Sequence, residues 1–414
     1  MGEKGIFQSI VESQPTTTLQ QMREARIALI RQIEALRKRP LAIYVTSLTP
    51  LPRVTAYISH EDIVPFSEIL DSVPGDKVDV LIESPGGLSE VSVELRAILR
   101  KRFSDVGFII PHAAMSAATI LVMSGDEILM DYRSSLGAVD PQFVGNDGRP
   151  QPAQAILTGI ETIKKSIEEN NGVMNPVYLP ILRNIDPGKL QNAIDASELS
   201  KRIVTESLTL YKFKNWVKHE KSGKPVSPQE REQTAKDIAN ELCKHERWLS
   251  HSHPIKMDEL RKMGLRITDY GEEPELQSAI WSLWVHYHHF LSSTNTYKAY
   301  ETATVDFSKI AAPIMETMRV PFPGLPFPVP TGFPGAPKQG TQVPFGHAIT
   351  DIICQKCGAL YKIQANFGQP QPFEPGTEPF PKDCMLTCKK CGTINNLSGL
   401  KMQIEAKVRQ NLVL

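Results

Sequence analysis

Two short stretches, Ser84-Pro85-Gly86-Gly87 and Ala114-Met115-Ser116-Ala117-Ala118, carry the groups that acyl transfer requires. Adjacent glycines let a backbone turn sharply with its N–H groups outward, beside the partly positive start of a helix, and that favours an anionic oxygen. A serine on the entry turn of a second helix supplies a hydroxyl nucleophile. The amide that follows it, on Ala117, supplies a further donor to a tetrahedral oxyanion. Ser116 is thus the candidate nucleophile, with Gly86, Gly87 and Ala117 as oxyanion or substrate contacts. Either stretch alone reads as an ordinary turn, or as a core hydroxyl bonded to a carbonyl one turn back; their succession along the chain is what points to chemistry.

A second constellation lies near the C-terminus. Cys354-Gln355-Lys356-Cys357-Gly358 and Cys388-Lys389-Lys390-Cys391-Gly392 are two Cys-x-x-Cys-Gly knuckles. Two-residue spacing aims both thiolates of a knuckle at one ion, and two knuckles complete a tetrahedral structural zinc site. Five of the six cysteines fall between 354 and 391, with no export signal, which argues against a disulfide framework. Cys384 is the spare thiol.

The elements that must position these groups follow from periodicity. Val78 to Glu83 reads as a strand ending at the first glycine turn, and Leu88 to Phe103 as a helix with Val91, Leu95, Ile98 and Leu99 at helical spacing. Val106 to Ile110 is a second strand, and Met115 to Met123 a buried helix opening at the serine. If the two strands lie parallel in one sheet, Ser116 sits beside the glycine turn.

That order, followed by Asp126-Glu127-Ile128-Leu129-Met130 and Ser135-Leu136-Gly137-Ala138-Val139-Asp140-Pro141-Gln142, resembles the Clp-protease and signal-peptide-peptidase superfamily of crotonase-like fold. The wording Ala-Met-Ser-Ala-Ala-Thr, Gly-Asp-Glu-Ile and Leu-Gly-Ala-Val-Asp-Pro-Gln resembles the serine dehydrogenase proteinase family. The resemblance spans roughly residues 41 to 270, resumes in Arg247-Trp248-Leu249, Ser252-His253-Pro254-Ile255 and Arg261 to Leu265, and does not reach the cysteine knuckles. It implies an α/β fold built as a ββα superhelix, a serine peptidase acting on polypeptide, and homo-oligomers that are trimers or multiples of trimers.

It also frames the search for a general base. Clp proteases place a histidine about 25 residues after the serine; here Gly137 to Gln142 contains none. Signal peptide peptidases use a desolvated lysine, in one branch some 40 to 50 residues beyond the serine, and Lys164 and Lys165 fall 48 and 49 beyond it. Lys201 is a later candidate, and His112 a fourth, as base or substrate-binding group. On a helix with Glu161, Glu168 and Glu169, the lysine pair also reads as a solvated face. The clusters His245/His251/His253 and His286/His288/His289 hint at metal, but no His-Glu-x-x-His pattern occurs and the second cluster shares a packing surface with Trp281, Trp284 and Tyr287.

The 414 residues suffice for one large core and a smaller module, and 46 basic against 46 acidic side chains leave no global field for nucleic acid or anionic membrane. No apolar run approaches a membrane span, so a soluble cytoplasmic protein without a membrane partner is expected. The expected segments are an N-terminal amphipathic helix over 1–40, readable as an oligomer arm, a Clp/crotonase-like serine protease domain over 41–292, a Pro/Gly-rich linker over 293–350, a four-cysteine zinc ribbon over 351–399 and a tail over 400–414. Within the linker, eight prolines and five glycines in residues 321–346 preclude helix or ladder. A competing reading is an inactive scaffold whose ribbon recruits protein or nucleic acid through Lys356, Lys389 and Lys390. A crotonase-type acyl-CoA enzyme would use the same two amides but not a serine nucleophile.

Overall fold

The computed structural model describes residues 5–13, 17–49, 54–144, 150–219, 222–311, 347–354, 356–367, 372–397, 400–401, 404 and 412–413. The chain divides into two compact units, Met1–Pro15 with Gln21–Ala312, and Thr16–Gln20 with Pro313–Leu414.

The first unit is built on seven strands: β1 (Leu41–Thr46), β2 (Lys77–Glu83), β3 (Asp105–Ile109), β4 (Glu127–Met130), β5 (Thr268–Asp269), β6 (Thr296–Glu301) and β7 (Asp306–Ile310), in sheet order β7-β6-β1-β2-β3-β4-β5. From β1 to β5 neighbours run parallel, while β6 joins β1 and β7 joins β6 antiparallel. Strand alternation sorts the side chains to two faces. Tyr44, Val78, Val80, Ile82, Val106, Phe108 and Ile128 meet the crossover helices on one face. Leu41, Ile43, Val45, Leu81, Ile109 and Leu129 meet a second pair of helices on the other.

Among those crossovers are α2 (Ile63–Asp71), α3 (Ser89–Arg102) and α4 (Ala117–Val122), and α4, apolar except for Thr119, is buried all round. On the opposite face lie α1 (Leu19–Arg37) and α8 (Pro274–Ser293). Ile30 and Ile33 of α1 are fully buried there, so the N-terminal helix is part of this body. Between α4 and α8 come α5 (Ala153–Glu169), α6 (Pro187–Ser207) and α7 (Pro228–Cys243); Ser227 caps α7 by accepting from the Glu230 amide at 3.1 Å.

A second, short ladder crosses the C-terminal ends of the strands. Ile58 pairs with Gly87, Ser84 with Ala114, Ala113–Ala114 with Ser135–Leu136, and Leu136 with Ile255. Each repeat is therefore a long strand, a short strand and a helix, the ββα superhelix that the motif order implied. Every residue of the proposed oxyanion turn and serine turn belongs to, or borders, this ladder.

Residues 293–311 depart from the linker expectation, since β6 and β7 are integral to the sheet. Lys298 and Glu301 are buried in β6, and these charges mask the alternation that marks a strand. The proline-rich segment over 312–346 lies outside the described residues.

The second unit pairs strand His347–Ile353 antiparallel with Leu360–Phe367, and hairpin Met385–Thr387 with Ile394–Asn396. Its own core includes Tyr361, Ile363, Phe380 and Leu386.

Candidate functional site

Ser116 sits where the short strand Ala113–Ala114 turns into α4, with φ 49° and ψ −115°. Positive φ is costly for any residue other than glycine, and such strain persists only where surrounding structure enforces it. Here two glycines do so. A Cβ on Gly86 would lie 2.7 Å from the Ser116 Cβ and 2.5 Å from the Met115 carbonyl oxygen, and one on Gly137 would lie 2.9 Å from the Ser116 nitrogen. Only bare backbone fits on those two sides of the serine.

The glycine turn is fixed from behind. Ile58 donates to the Gly86 carbonyl at 2.6 Å and accepts from the Leu88 amide at 2.9 Å. Alternation along this extended stretch turns the Gly87 N–H to the side away from Ile58. Among the described residues the Gly87 and Ala117 amides and the Ser116 hydroxyl donate to no protein acceptor. Gly86 is occupied differently, since its amide donates to the Ser84 hydroxyl at 3.2 Å. Of the glycine pair, Gly87 therefore offers the available donor.

The stretch that touches Ser116 through Gly137 leads three residues on to Asp140, at most about 11 Å further along an extended chain. Val139 donates to the Leu242 carbonyl at 2.9 Å and Leu136 exchanges bonds with Ile255, which brings the segment after α7 alongside. The Asp140 carboxylate is fully buried and accepts from His245 Nδ1 at 3.0 Å, His251 Nδ1 at 2.6 Å and Gln142 Nε2 at 3.0 Å. A carboxylate only accepts, so a ring that donates to Asp140 through Nδ1 has, when neutral, its Nε2 as the proton acceptor. Both rings are half-buried.

The four base candidates named from the sequence differ in their surroundings. Lys164 is 63% exposed on α5 and 3.9 Å from Glu161, and Lys165 faces solvent beside it. The desolvation that a lysine base requires is missing at both. Lys201, on α6, is one-third exposed and donates to Glu198 at 2.7 Å. His112 lies 3.4 Å from Glu83 and packs at a 41° tilt, 5.1 Å between ring centroids, on Trp284 of α8, on the side of the sheet opposite α4. The His245/His251 pair was not singled out as a base candidate because it lies 105 and 111 residues from Asp140 in sequence. The usable signal was that both the Asp140 motif and the 247–255 stretch belong to the same resemblance.

In the second unit the sulfurs of Cys354, Cys357, Cys388 and Cys391 all lie within 4.8 Å of one another, with Cys354 to Cys391 at 3.6 Å and Cys357 to Cys388 at 3.5 Å. Four thiolates about 2.3 Å from one tetrahedral ion would be about 3.8 Å apart, so the set fits such an ion. The knuckles repeat each other: Gly358 donates to the Cys354 carbonyl and Gly392 to the Cys388 carbonyl, with φ 71° and 73°. Tyr361 donates to the Cys388 sulfur at 3.2 Å, an outer contact of the kind that would orient a metal ligand. Cys384 is outside the cluster. No helix among the described residues is long and apolar enough to cross a membrane.

Comparison with known proteins agrees with the α/β body. An uncharacterized protein of Methanocaldococcus jannaschii is 26% identical over 266 residues, covering 63% of this chain and 79% of that protein. A second uncharacterized protein of the same organism is 32% identical over 118 residues, which is 28% of this chain and 37% of that protein. Residues 6–186 match the model of the family described as ClpP-like SDH-type serine proteinase, a span that contains Gly86, Gly87, Ser116 and Asp140 but neither His245 nor His251. Over that span, this chain is similar to the ClpP-like SDH-type serine proteinase family.

Proposed function

We propose that the protein hydrolyses peptide bonds with Ser116 as nucleophile and an imidazole on Asp140 as general base. The observation that carries the proposal is the strained Ser116 turn, closed on two sides by Gly86 and Gly137 and flanked by the available amides of Gly87 and Ala117. In this scheme Ser116 Oγ attacks the carbonyl carbon while its proton passes to Nε2 of His245 or His251. The Gly87 and Ala117 N–H groups receive the oxyanion. Collapse expels the amine, which takes the proton back from the imidazolium, and water, activated by the same Nε2, cleaves the acyl-serine ester. Asp140 orients the ring and stabilises its charged form, the part a buried carboxylate plays in a serine-histidine-aspartate triad. Lys201, the most buried of the three lysines named from the sequence, is the amine alternative.

A fluorophosphonate probe tests the core of this reading. It should label the full-length protein at Ser116, and Ser116→Ala should remain folded, unlabelled and without peptidase activity. A wild-type protein that neither reacts nor cleaves peptides would leave the inactive-scaffold reading instead.

The four knuckle cysteines would hold zinc, which would supply fold stability to the second unit and no step of the reaction. The proposal further includes a homo-oligomer, a cytoplasmic setting and a recruiting surface for protein or nucleic acid on the ribbon. Sedimentation and pull-down with Lys389→Ala and Lys390→Ala variants address these points.

A further inference from the structure

A buried ion pair stands directly behind the glycine turn. Lys298 of β6 and Asp62 at the start of α2 both have completely buried side chains, with Lys298 Nζ 2.6 Å from Asp62 Oδ1. Asp62 accepts four donors: Lys298, the Tyr44 hydroxyl at 2.9 Å, the Ser59 amide at 2.8 Å and the Tyr300 hydroxyl. Lys298 also donates to the Tyr57 carbonyl at 2.8 Å. The pair thus grips the backbone on both sides of Ile58, through the Tyr57 carbonyl and the Ser59 amide, and Ile58 is the residue that holds Gly86 and Leu88.

An apolar pair of similar volume would commonly be as stable as a buried ion pair, so its presence asks for a reason other than stability. The four donors and the two backbone contacts define one position for the Tyr57–Ser59 segment, which an apolar contact would not fix. Burial, reinforced by the Asp62 charge, pushes the Tyr44 and Tyr300 hydroxyls well above their ordinary titration range, so both stay neutral donors. Burial lowers the Lys298 ammonium, and Asp62 acts against that shift.

We infer that Lys298 and Asp62 are positioning residues for the oxyanion site, acting through Ile58 to set the direction of the Gly87 N–H. The inference rests on the hydrolase reading. It extends the machinery beyond the matched family span, because Lys298 lies past residue 186.

The test uses the full-length protein with Lys298→Met, and Tyr44→Phe and Tyr300→Phe as variants that keep shape and remove one donor each. Turnover and KM are measured on a peptide ester, together with inhibition by a peptide boronate, whose tetrahedral adduct needs the oxyanion donors. For Lys298→Met, kcat should fall on the order of 10- to 100-fold, boronate affinity by a similar factor, and KM should change by less than about twofold. The Phe variants should show the same pattern to a smaller degree, and they carry the test if Lys298→Met does not fold. Unchanged kcat and boronate affinity in folded variants of an active enzyme would overturn the inference and leave the hydrolase reading intact. A wild-type protein inert to both ester and boronate would instead remove the hydrolase reading on which it stands.

Discussion

Adding one methyl group at Gly87 should nearly abolish turnover while leaving most of the fold in place. The Cβ of Gly87→Ala would lie 2.3 Å from the Ile58 oxygen, 2.5 Å from its nitrogen and 2.9 Å from its Cα. All three are backbone atoms, so no side chain can rotate away. Ordinary contact begins at 3.4 Å, and the turn must therefore recoil by about 1 Å. Alanine also disfavours the φ of 149° found there. Steric and conformational costs together are about 1–3 kcal/mol, tolerable for a core of this size. The functional cost is larger, because an oxyanion donor displaced by 1 Å is close to a donor removed, which lowers kcat by about 10²- to 10³-fold. The measurement pairs thermal melts with steady-state kinetics on a peptide ester. Gly159→Ala is the control: Gly159 is exposed on α5 with nothing within 4 Å of a built Cβ, and that change should raise stability by about 0.5–1 kcal/mol without touching kcat. A folded Gly87→Ala enzyme with kcat within about threefold of wild type would refute the placement of the oxyanion at this turn.

The other predictions concern the base and the ribbon. Asp140→Asn, which keeps the shape but no longer compels Nδ1 protonation, should lower kcat by about 10⁴-fold with KM little changed. Of His245→Ala and His251→Ala, one should match that loss and the other cost no more than about tenfold, whereas Lys164→Ala and Lys165→Ala should be neutral; activity surviving both histidine changes but lost in Lys201→Ala would reverse the assignment. Metal analysis should give about one zinc per chain, and a chelator should melt the second unit alone. A chain ending near residue 345 should keep the first unit folded and active on a small peptide; failure of that truncation to fold would show the ribbon to be structurally required.

What could be read in the sequence divides by whether a contact is local or long-range. The strands around Ile82 and Phe108, the buried helix after Ser116 and the two cysteine knuckles are short-range patterns, and periodicity or two-residue spacing specifies them almost completely. The proposed base was different in kind. A search at fixed distances after Ser116 finds Lys164 and Lys165, whereas the imidazoles reach Asp140 only because Val139 pairs with Leu242 and Leu136 with Ile255. No local rule announces such pairings, since each is one rung made by residues more than 100 positions apart. The strand Thr296–Glu301 was hidden for a related reason: buried Lys298 and Glu301 read as surface until their partners, Asp62 on one side and Arg26 with Tyr287 on the other, are in view. A charge in a core is legible only together with what neutralises it. The same logic locates the chemistry, because the buried carboxylates at Asp62 and Asp140 are both held by donors from the far end of the chain, one behind the glycine turn and the other three residues beyond the glycine that touches Ser116. On the proposed mechanism, the segment after residue 186 would complete a site whose proposed nucleophile and oxyanion amides lie wholly within the first 186 residues, and a fragment ending there should retain the motif and lose the activity.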